Sequence, residues 1–396
     1  AALSLANQGF RTALVEKEGV LGGNLNIIRY TANGESTNSI LAELEKKVSN
    51  SPLIDVYLNS RVKAVEGYPG KYTTVIETPR GNLEINHGAT IIATGAPAIK
   101  PSEYLYGKHR RILTQSELEH MIWNGEAGGL RQVVMIQCVG SRQENHPYCS
   151  RVCCTQAVKN ALLITEANPS CTVYILYRDM RTFGLNESLY TEARRRGVIF
   201  ARYSPDKKPE VIPGRDKVRV LFEDRILQAN ISVEADLLVL SAGIDANGQN
   251  HEISRLFRVP VNADGFFSEA HAKLRPVDFA GEGLYLAGLA HGPKLLKEAI
   301  AAGNAAAVRA AALLSKDDLE SLPNTVFVNP RHCQGCGICV KTCQYQAREI
   351  DPLTRVASVI DVICRGCGAC AAACPSGATI HKTFEKAQML SALNTF

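Results

Sequence analysis

Eight cysteines in one repeated spacing constrain this chain more than any other feature. They read Cys333-x2-Cys336-x2-Cys339-x3-Cys343, then twenty residues, then Cys364-x2-Cys367-x2-Cys370-x3-Cys374-Pro375. Two runs of C-x2-C-x2-C-x3-C are the ligand pattern for a pair of [4Fe–4S] clusters, with the fourth cysteine of each run ligating the other cluster. Cys333, Cys336, Cys339 and Cys374 are therefore expected at one cubane, and Cys364, Cys367, Cys370 and Cys343 at the other. Gly335, Gly337, Gly366 and Gly368 let the backbone wrap tightly and turn amides toward the sulfurs. A zinc site would want cysteines in two pairs rather than this register. Gln344 follows Cys343 where the pattern usually has proline, a local change of turn.

Composition bounds the rest. The 396 residues allow two or three domains, with 45% hydrophobic and 21% charged residues. A net charge of +5 is mild for this length and argues for no nucleic-acid partner. No apolar run reaches the roughly eighteen residues a membrane helix needs. Thirteen cysteines, eight of them in cluster spacing, fit a reducing cytoplasm rather than a disulfide framework. The opening Ala1–Gly9 has no charged region typical of a signal peptide and reads as the middle of a helix, so the chain is expected to be part of a longer protein.

Along the chain, a helix ending at Gly9 and a short strand over 12–16 read as the second half of a dinucleotide-binding βαβ unit. Glu16 at the strand end would hydrogen-bond an adenosine ribose; its alternative is a solvated loop carboxylate. Lys17 follows, and the pair Gly22–Gly23 before Asn24 lets backbone pass close to a pyrophosphate or ribityl chain. An amphipathic helix is expected over 36–49, with strands near 55–58, 61–66 and 72–77. An apolar strand over 89–94 then breaks at Thr94-Gly95, which in two-dinucleotide flavoproteins returns the chain to the flavin; the alternative is a plain turn. A second α/β unit opens with a strand over 132–136, continues through a helix ending near 166 and a strand over 172–177, and closes at 237–243. From about 265 the chain returns to the first unit: a strand ends at Gly288, and Pro293-Lys294 opens a helix running through 301–314. That helix N-terminus would face the flavin, or simply pack as a core helix.

The second unit holds a further cysteine group, Cys138-x10-Cys149-x3-Cys153-Cys154. Four thiolates suit a third [4Fe–4S] cluster; zinc and plain buried thiols stay open as alternatives. Cys171, just before a strand, reads as an ordinary buried thiol.

The chain resembles the A subunit of heterodisulfide reductase, the flavoprotein of anaerobic electron-bifurcating complexes. The matching segments are Leu14-Val-Glu16-Lys-Glu18 with Leu21-Gly22-Gly23-Asn24-Leu25, Cys138-Val-Gly-Ser-Arg142, Tyr148-Cys149-Ser-Arg-x-Cys153-Cys154, and Pro293-Lys294 before an alanine-rich helix, completed by the terminal two-cluster run. The resemblance implies an α/β, thioredoxin-reductase-like flavoprotein of two dinucleotide-binding domains, with a C-terminal α+β two-cluster bacterial-type ferredoxin domain. It implies FAD, at Glu16, Lys17, Gly22, Gly23, Asn24, Thr94, Gly95, Gly288, Pro293 and Lys294, and a cluster near the flavin on Cys138, Cys149, Cys153 and Cys154. It further implies a lysine approaching the isoalloxazine as a catalytic group, here Lys159; the alternative is a solvated helix lysine. Residues 25–95 contain no cysteine, so the ferredoxin module inserted in long forms is absent there. The expected partners are the other subunits of such a complex, a hydrogenase, formate dehydrogenase or similar donor, and ferredoxin, with a homodimer inside the assembly.

The expected division is an FAD-binding domain in two parts (1–128 and 246–315), a cysteine-bearing nucleotide-binding-like domain (129–245), a linker (316–326), the ferredoxin domain (327–384) and a tail (385–396). FAD with three clusters would convert two-electron into one-electron flow, with bifurcation at FAD as a further expectation. A stand-alone NAD(P)H-dependent iron–sulfur flavoprotein is the alternative. Against it, the second unit has cysteines where a glycine loop would cradle pyrophosphate. A purely structural role for the clusters is a third possibility.

Overall fold

The computed structural model describes residues 1–319 and 324–394. Its largest sheet is parallel and five-stranded, in the order Ile199–Arg202, Thr172–Tyr177, Gln132–Val139, Leu237–Ala242, Ile112–Thr114. The central strand is the continuous apolar run Val133-Val-Met-Ile136, fully buried, as a parallel strand covered on both faces requires. Val133 and Met135 face the helix Cys153–Ala167 through Ala157, Val158, Ala161 and Ile164. Val134 and Ile136 face the other way, onto Val218, Val220 and Val233 of a three-stranded antiparallel layer. Alternation along one strand thus builds two cores.

One boundary differs from the sequence expectation. Ile112–Thr114 pairs with Leu237–Ala242. The helix Gln115–Trp123 follows, with a capping box between Thr114 and Glu117. Residues 112–128 therefore belong to the second unit, not to the first part of the FAD-binding domain. A strand of three residues carries too little pattern to reveal its sheet.

The first unit pairs Thr12–Val15 with Ile54–Tyr57 and Thr90–Ile92 with Leu284–Leu286, all parallel. An antiparallel layer, Arg61–Tyr68, Lys71–Thr78 and Gly81–His87, lies beside them. The last of these strands is not expected from the sequence: its alternation rests on only two apolar residues, Leu83 and Ile85, in a strand that is mostly exposed. The alanine-rich helix spans Leu296–Leu314, starting three residues later than Pro293 suggested. The Glu298 carboxylate accepts the Leu295 N–H at 2.8 Å, satisfying one orphan donor of the first turn. Its Ala306, Ala307, Ala310 and Ala311 pack closely on Leu5, Val277, Tyr285 and Ala287. At the other end of the chain, the N-terminal helix is limited to Ala2–Ala6.

The C-terminal domain is an internal repeat. Strands Val326–Val328 and Thr379–His381 pair, as do Arg348–Ile350 and Ala357–Val359. Short helices Ile338–Thr342 and Ala369–Ala372 follow Gly337 and Gly368, both at φ 74°. The expected linker lies partly outside the described residues, and the expected tail contains a helix, Lys386–Leu393. The domain meets the first unit through Arg365–Glu282 at 3.4 Å and Arg258–Glu349 at 3.3 Å. Among the described residues no helix is long and apolar enough to cross a membrane.

Candidate cysteine and flavin sites

In the second unit, Cys138 stands at the end of the central strand, on a bulge. Leu240 faces Ile136 and Ala242 faces Val139, so the cysteine-bearing strand carries one extra residue. A bulge re-aims the side chain it carries. Cys138 itself has φ 62°, and the nearby Arg142 and Arg151 have φ 56° and 59°. Left-handed non-glycine residues cost about 1–3 kcal/mol each and cluster at functional sites. Cys153 and Cys154 open the helix Cys153–Ala167, where the dipole favours negative charge.

The four sulfurs lie within electrostatic reach of one another. Burial first, then the charges of Cys154, Cys138 and Cys149, push the Cys153 thiol up. Burial likewise raises Cys154 to about 11, with Cys138 and Cys149 adding to it. Burial raises Cys138 too, opposed by Arg142 and Arg178. The surroundings supply donors: Arg151 N–H to Cys149 Sγ at 3.3 Å and Arg142 Nη1 to Cys138 Sγ at 4.0 Å. Arg178 Nε is buried and has no hydrogen-bond partner among the described residues. A four-cysteine group in which burial disfavours ionisation of Cys138, Cys153 and Cys154, with Arg142, Arg151 and Arg178 beside it, fits an iron–sulfur group whose iron would supply the missing positive charge. Among the described residues no three His, Cys, Asp or Glu side chains converge to hold one metal ion.

Arg151, which sequence reasoning left without a role, joins this block to the turn at Pro293. Its Nη1 donates to the Pro293 carbonyl at 3.3 Å and its Nη2 pairs with Glu298 at 2.8 Å. Its guanidinium lies 4.8 Å from the Phe183 ring centroid. Nothing in the local pattern could have revealed a contact 142 residues away.

The expected flavin residues form connected turns. Gly22 has φ 107°, and a Cβ there would come within 2.9 Å of Leu41 and Asn26. Asn24 Nδ2 donates to the Ala96 carbonyl at 3.0 Å, tying the 22–24 turn to the one at Thr94-Gly95. Thr94 Oγ1 donates to Asn250 at 2.8 Å, and Gly95 has φ 69° with open space where a Cβ would stand. Gly288, at φ 63°, begins a short 3-10 turn. The Glu16 carboxylate accepts the Glu18 N–H at 2.9 Å, while Lys17 lies 3.8 Å from Glu18. Lys294 Nζ contacts His291 Nδ1 at 3.1 Å, and His291 Nε2 contacts Glu269 at 2.6 Å, a relay not foreseen from sequence. Burial, with Arg151 adding to it, holds the Lys294 ammonium below its usual pKa.

Lys159 is not a solvated helix lysine. Its Nζ donates to Glu119 at 2.5 Å and to the Tyr30 carbonyl at 3.1 Å.

In the C-terminal domain the two halves of the cysteine pattern interleave. Cys333, Cys336, Cys339 and Cys374 line one cavity. Cys370 lies within electrostatic reach of Cys343, Cys364 and Cys367; burial is the larger cause of its raised pKa. Burial would raise Cys374 as well, but hydrogen bonds from the Thr379, Ser376 and Ala378 backbone and the Ser376 hydroxyl bring it down to about 7.

Residues 332–378 match the 4Fe-4S dicluster domain family. The fold is similar to that of Lactococcus lactis thioredoxin reductase, with a TM-score of 0.54 and 18% identity, covering 79% of this chain and 94% of that one. The molecule is thus a thioredoxin-reductase-like flavoprotein fold carrying a C-terminal iron–sulfur domain. Its sequence is 33% identical over 445 residues to the iron-sulfur A subunit (form 2) of CoB–CoM heterodisulfide reductase from Methanopyrus kandleri, covering 88% of this chain and 68% of that one. It is 37% identical over 288 residues to the A subunit of the H2:CoB-CoM heterodisulfide,ferredoxin reductase of Methanothermobacter thermautotrophicus, covering 68% of this chain and 43% of that one. The chain belongs to the A-subunit family of heterodisulfide reductases, which are oxidoreductases.

Proposed function

We propose that this chain is the FAD- and iron–sulfur-containing electron-transfer component of a multi-subunit oxidoreductase, working within its complex, joining two-electron to one-electron flow, with bifurcation at the flavin. The observation that carries this is Arg151. One residue donates its N–H to Cys149 and reaches Pro293 and Glu298 with its guanidinium, which ties the four-cysteine block to the turn that would face the flavin. When bound, FAD would exchange electrons in pairs and each [4Fe–4S] cluster singly.

The chain's own part is to bind and orient. Cys138, Cys149, Cys153 and Cys154 would hold one cluster, and the eight C-terminal cysteines, in the interleaved sets described, the other two. Gly22, Gly23, Asn24, Thr94, Gly95, Gly288 and Pro293 would line the flavin, with Glu16 and Lys17 toward the ribose. Lys294, kept in place by His291, would present a cation to it. Lys159, buried and paired with Glu119, would be the lysine that tunes the flavin's potential. Partners in this proposal are the other subunits of a heterodisulfide reductase-like complex, with a hydrogenase, formate dehydrogenase or ferredoxin as electron donor or acceptor, in the cytoplasm, the chain itself dimerising in the assembly.

Anaerobic iron, sulfide and FAD quantitation on the purified chain, with EPR of its reduced form, tests the proposal. About twelve irons and about one FAD per chain support three cubanes around a flavin. About eight irons would remove the cluster beside the flavin, and rapid flavin reduction by NADH alone would favour a self-contained reductase.

A further inference from the structure

The two cluster sites of the C-terminal domain are related by an internal repeat, and the buried Arg348 is among the residues that break the equivalence. Arg348 stands five residues after Cys343, and Thr379 stands five residues after Cys374. These two positions meet: Arg348 Nη2 donates to Thr379 Oγ1 at 3.0 Å. Thr379 lines the cavity of Cys333, Cys336, Cys339 and Cys374. Arg348 instead lies with Cys343, whose sulfur accepts the N–H of the adjacent Ala347 at 3.3 Å. Arg348 is 2% exposed, and its Nε and Nη1 have no hydrogen-bond partner among the described residues. No carboxylate pairs with it among those residues, although burying an unpaired charge is costly. Its charge acts on Cys370, from the same ligand set as Cys343. A thiolate-bound cluster is anionic and would supply both the countercharge and acceptors for the two orphaned nitrogens.

We propose that Arg348 is a positioning residue that makes the two cluster sites unequal, holding the reduction potential at Cys343, Cys364, Cys367 and Cys370 above that at Cys333, Cys336, Cys339 and Cys374. The inference rests on the iron–sulfur reading of this domain. Hydrogen bonds and nearby positive charge raise a cluster's potential by stabilising its more negative reduced form. The favoured site is the one toward the flavoprotein unit. Arg365, between ligands Cys364 and Cys367, pairs with Glu282, and Arg258 borders the same cleft as Cys343. Reduction is thereby favoured on the side where the two units meet.

The test is an EPR-monitored redox titration of the full chain, its Arg348→Gln variant and its Arg348→Lys variant, with Cys367→Ser used to assign the signals. Arg348→Gln is expected to lower one midpoint selectively, narrowing the gap between the two sites by about tenfold or more in relative reduction, or about 59 mV for one electron. Arg348→Lys, which keeps the charge, is expected to keep most of the gap. If Arg348→Gln loses iron, Thr379→Lys decides: it gives the second site its own cation and must narrow the gap by raising the other midpoint. An unchanged gap in an iron-replete Arg348→Gln or Thr379→Lys chain overturns the proposal, as does an equal narrowing of the gap in R348K and R348Q. Absence of iron from the unsubstituted domain would instead sink the iron–sulfur reading beneath it.

Discussion

Lys159 and Glu119 form an ion pair sealed from solvent, 2.5 Å apart, with side chains 5% and 0% exposed. Glu119 also accepts the Arg29 N–H at 3.0 Å and the Gln156 amide at 3.0 Å, so one carboxylate ties three segments together. Burial lowers the Lys159 pKa, with Glu119 opposing that shift. Removing either partner alone strands a buried charge, which costs about 3–5 kcal/mol. Lys159→Met or Glu119→Gln is therefore expected to lower the thermal unfolding midpoint sharply, and the double substitution to cost less than the sum. A double substitution that simply adds the two single losses would show the pair to be uncoupled.

Gly22 and Gly23 separate backbone strain from steric contact. Both have positive φ, but only at Gly22 would a Cβ meet side chains at 2.9 Å. Gly22→Ala is expected to destabilise by about 1–3 kcal/mol and to weaken FAD retention on gel filtration. Gly23→Ala is expected to cost about 1–2 kcal/mol from its left-handed backbone alone. Equal losses in both variants would mean that Leu41 gives way freely.

Cysteine substitutions read out the cluster assignment. Cys138→Ser or Cys153→Ser is expected to remove about four irons per chain, as one cubane is lost, while the irons of the C-terminal domain remain. Cys171→Ser is the control: this thiol is buried and raised to about 11 mainly by burial, and its loss is expected to leave iron content unchanged.

His87 predicts an acid limb of stability. Burial lowers its pKa below 6.5, opposed by the hydrogen bond between Nδ1 and the Ala89 carbonyl. The folded state therefore resists protonation, and the unfolded chain takes up the proton first. Stability contributed by the neutral ring is complete above the unfolded pKa, near 6.5. It falls as pH drops through that value and levels off below the folded pKa. Thermal melts between pH 7.5 and about 5 are expected to show a shallower decline for His87→Gln than for the unsubstituted chain. Parallel curves would assign the acid limb to other groups.

Much of the architecture is legible in the sequence because it is locally encoded. The run Val133–Ile136, the helix over Thr37–Ser49 and the strand at Leu237–Ala242 announce themselves by apolar run or periodicity. Gly81–His87 does so only faintly, because it is mostly exposed and just two apolar residues, Leu83 and Ile85, mark its alternation. Ile112–Thr114 reads into the wrong unit, since three residues cannot state which sheet they join. For the candidate sites, the cysteines and glycines are readable, whereas Arg151, His291 and Glu119 are not; their roles come from contacts 142, 22 and 40 residues away.

Local spacing is enough to mark the C-terminal domain as a 4Fe-4S dicluster domain, because cysteines three and four positions apart bring their sulfurs together within a single turn of chain. Family membership, too, lies in short motifs. Packing of distant segments was needed to bring Arg348 to Thr379, to bridge Cys149 and Pro293 through Arg151, and to commit the charge of Lys159 to Glu119. A side chain's partner across a packed interface is set by the geometry of both surfaces, and its neighbours in sequence carry no record of it.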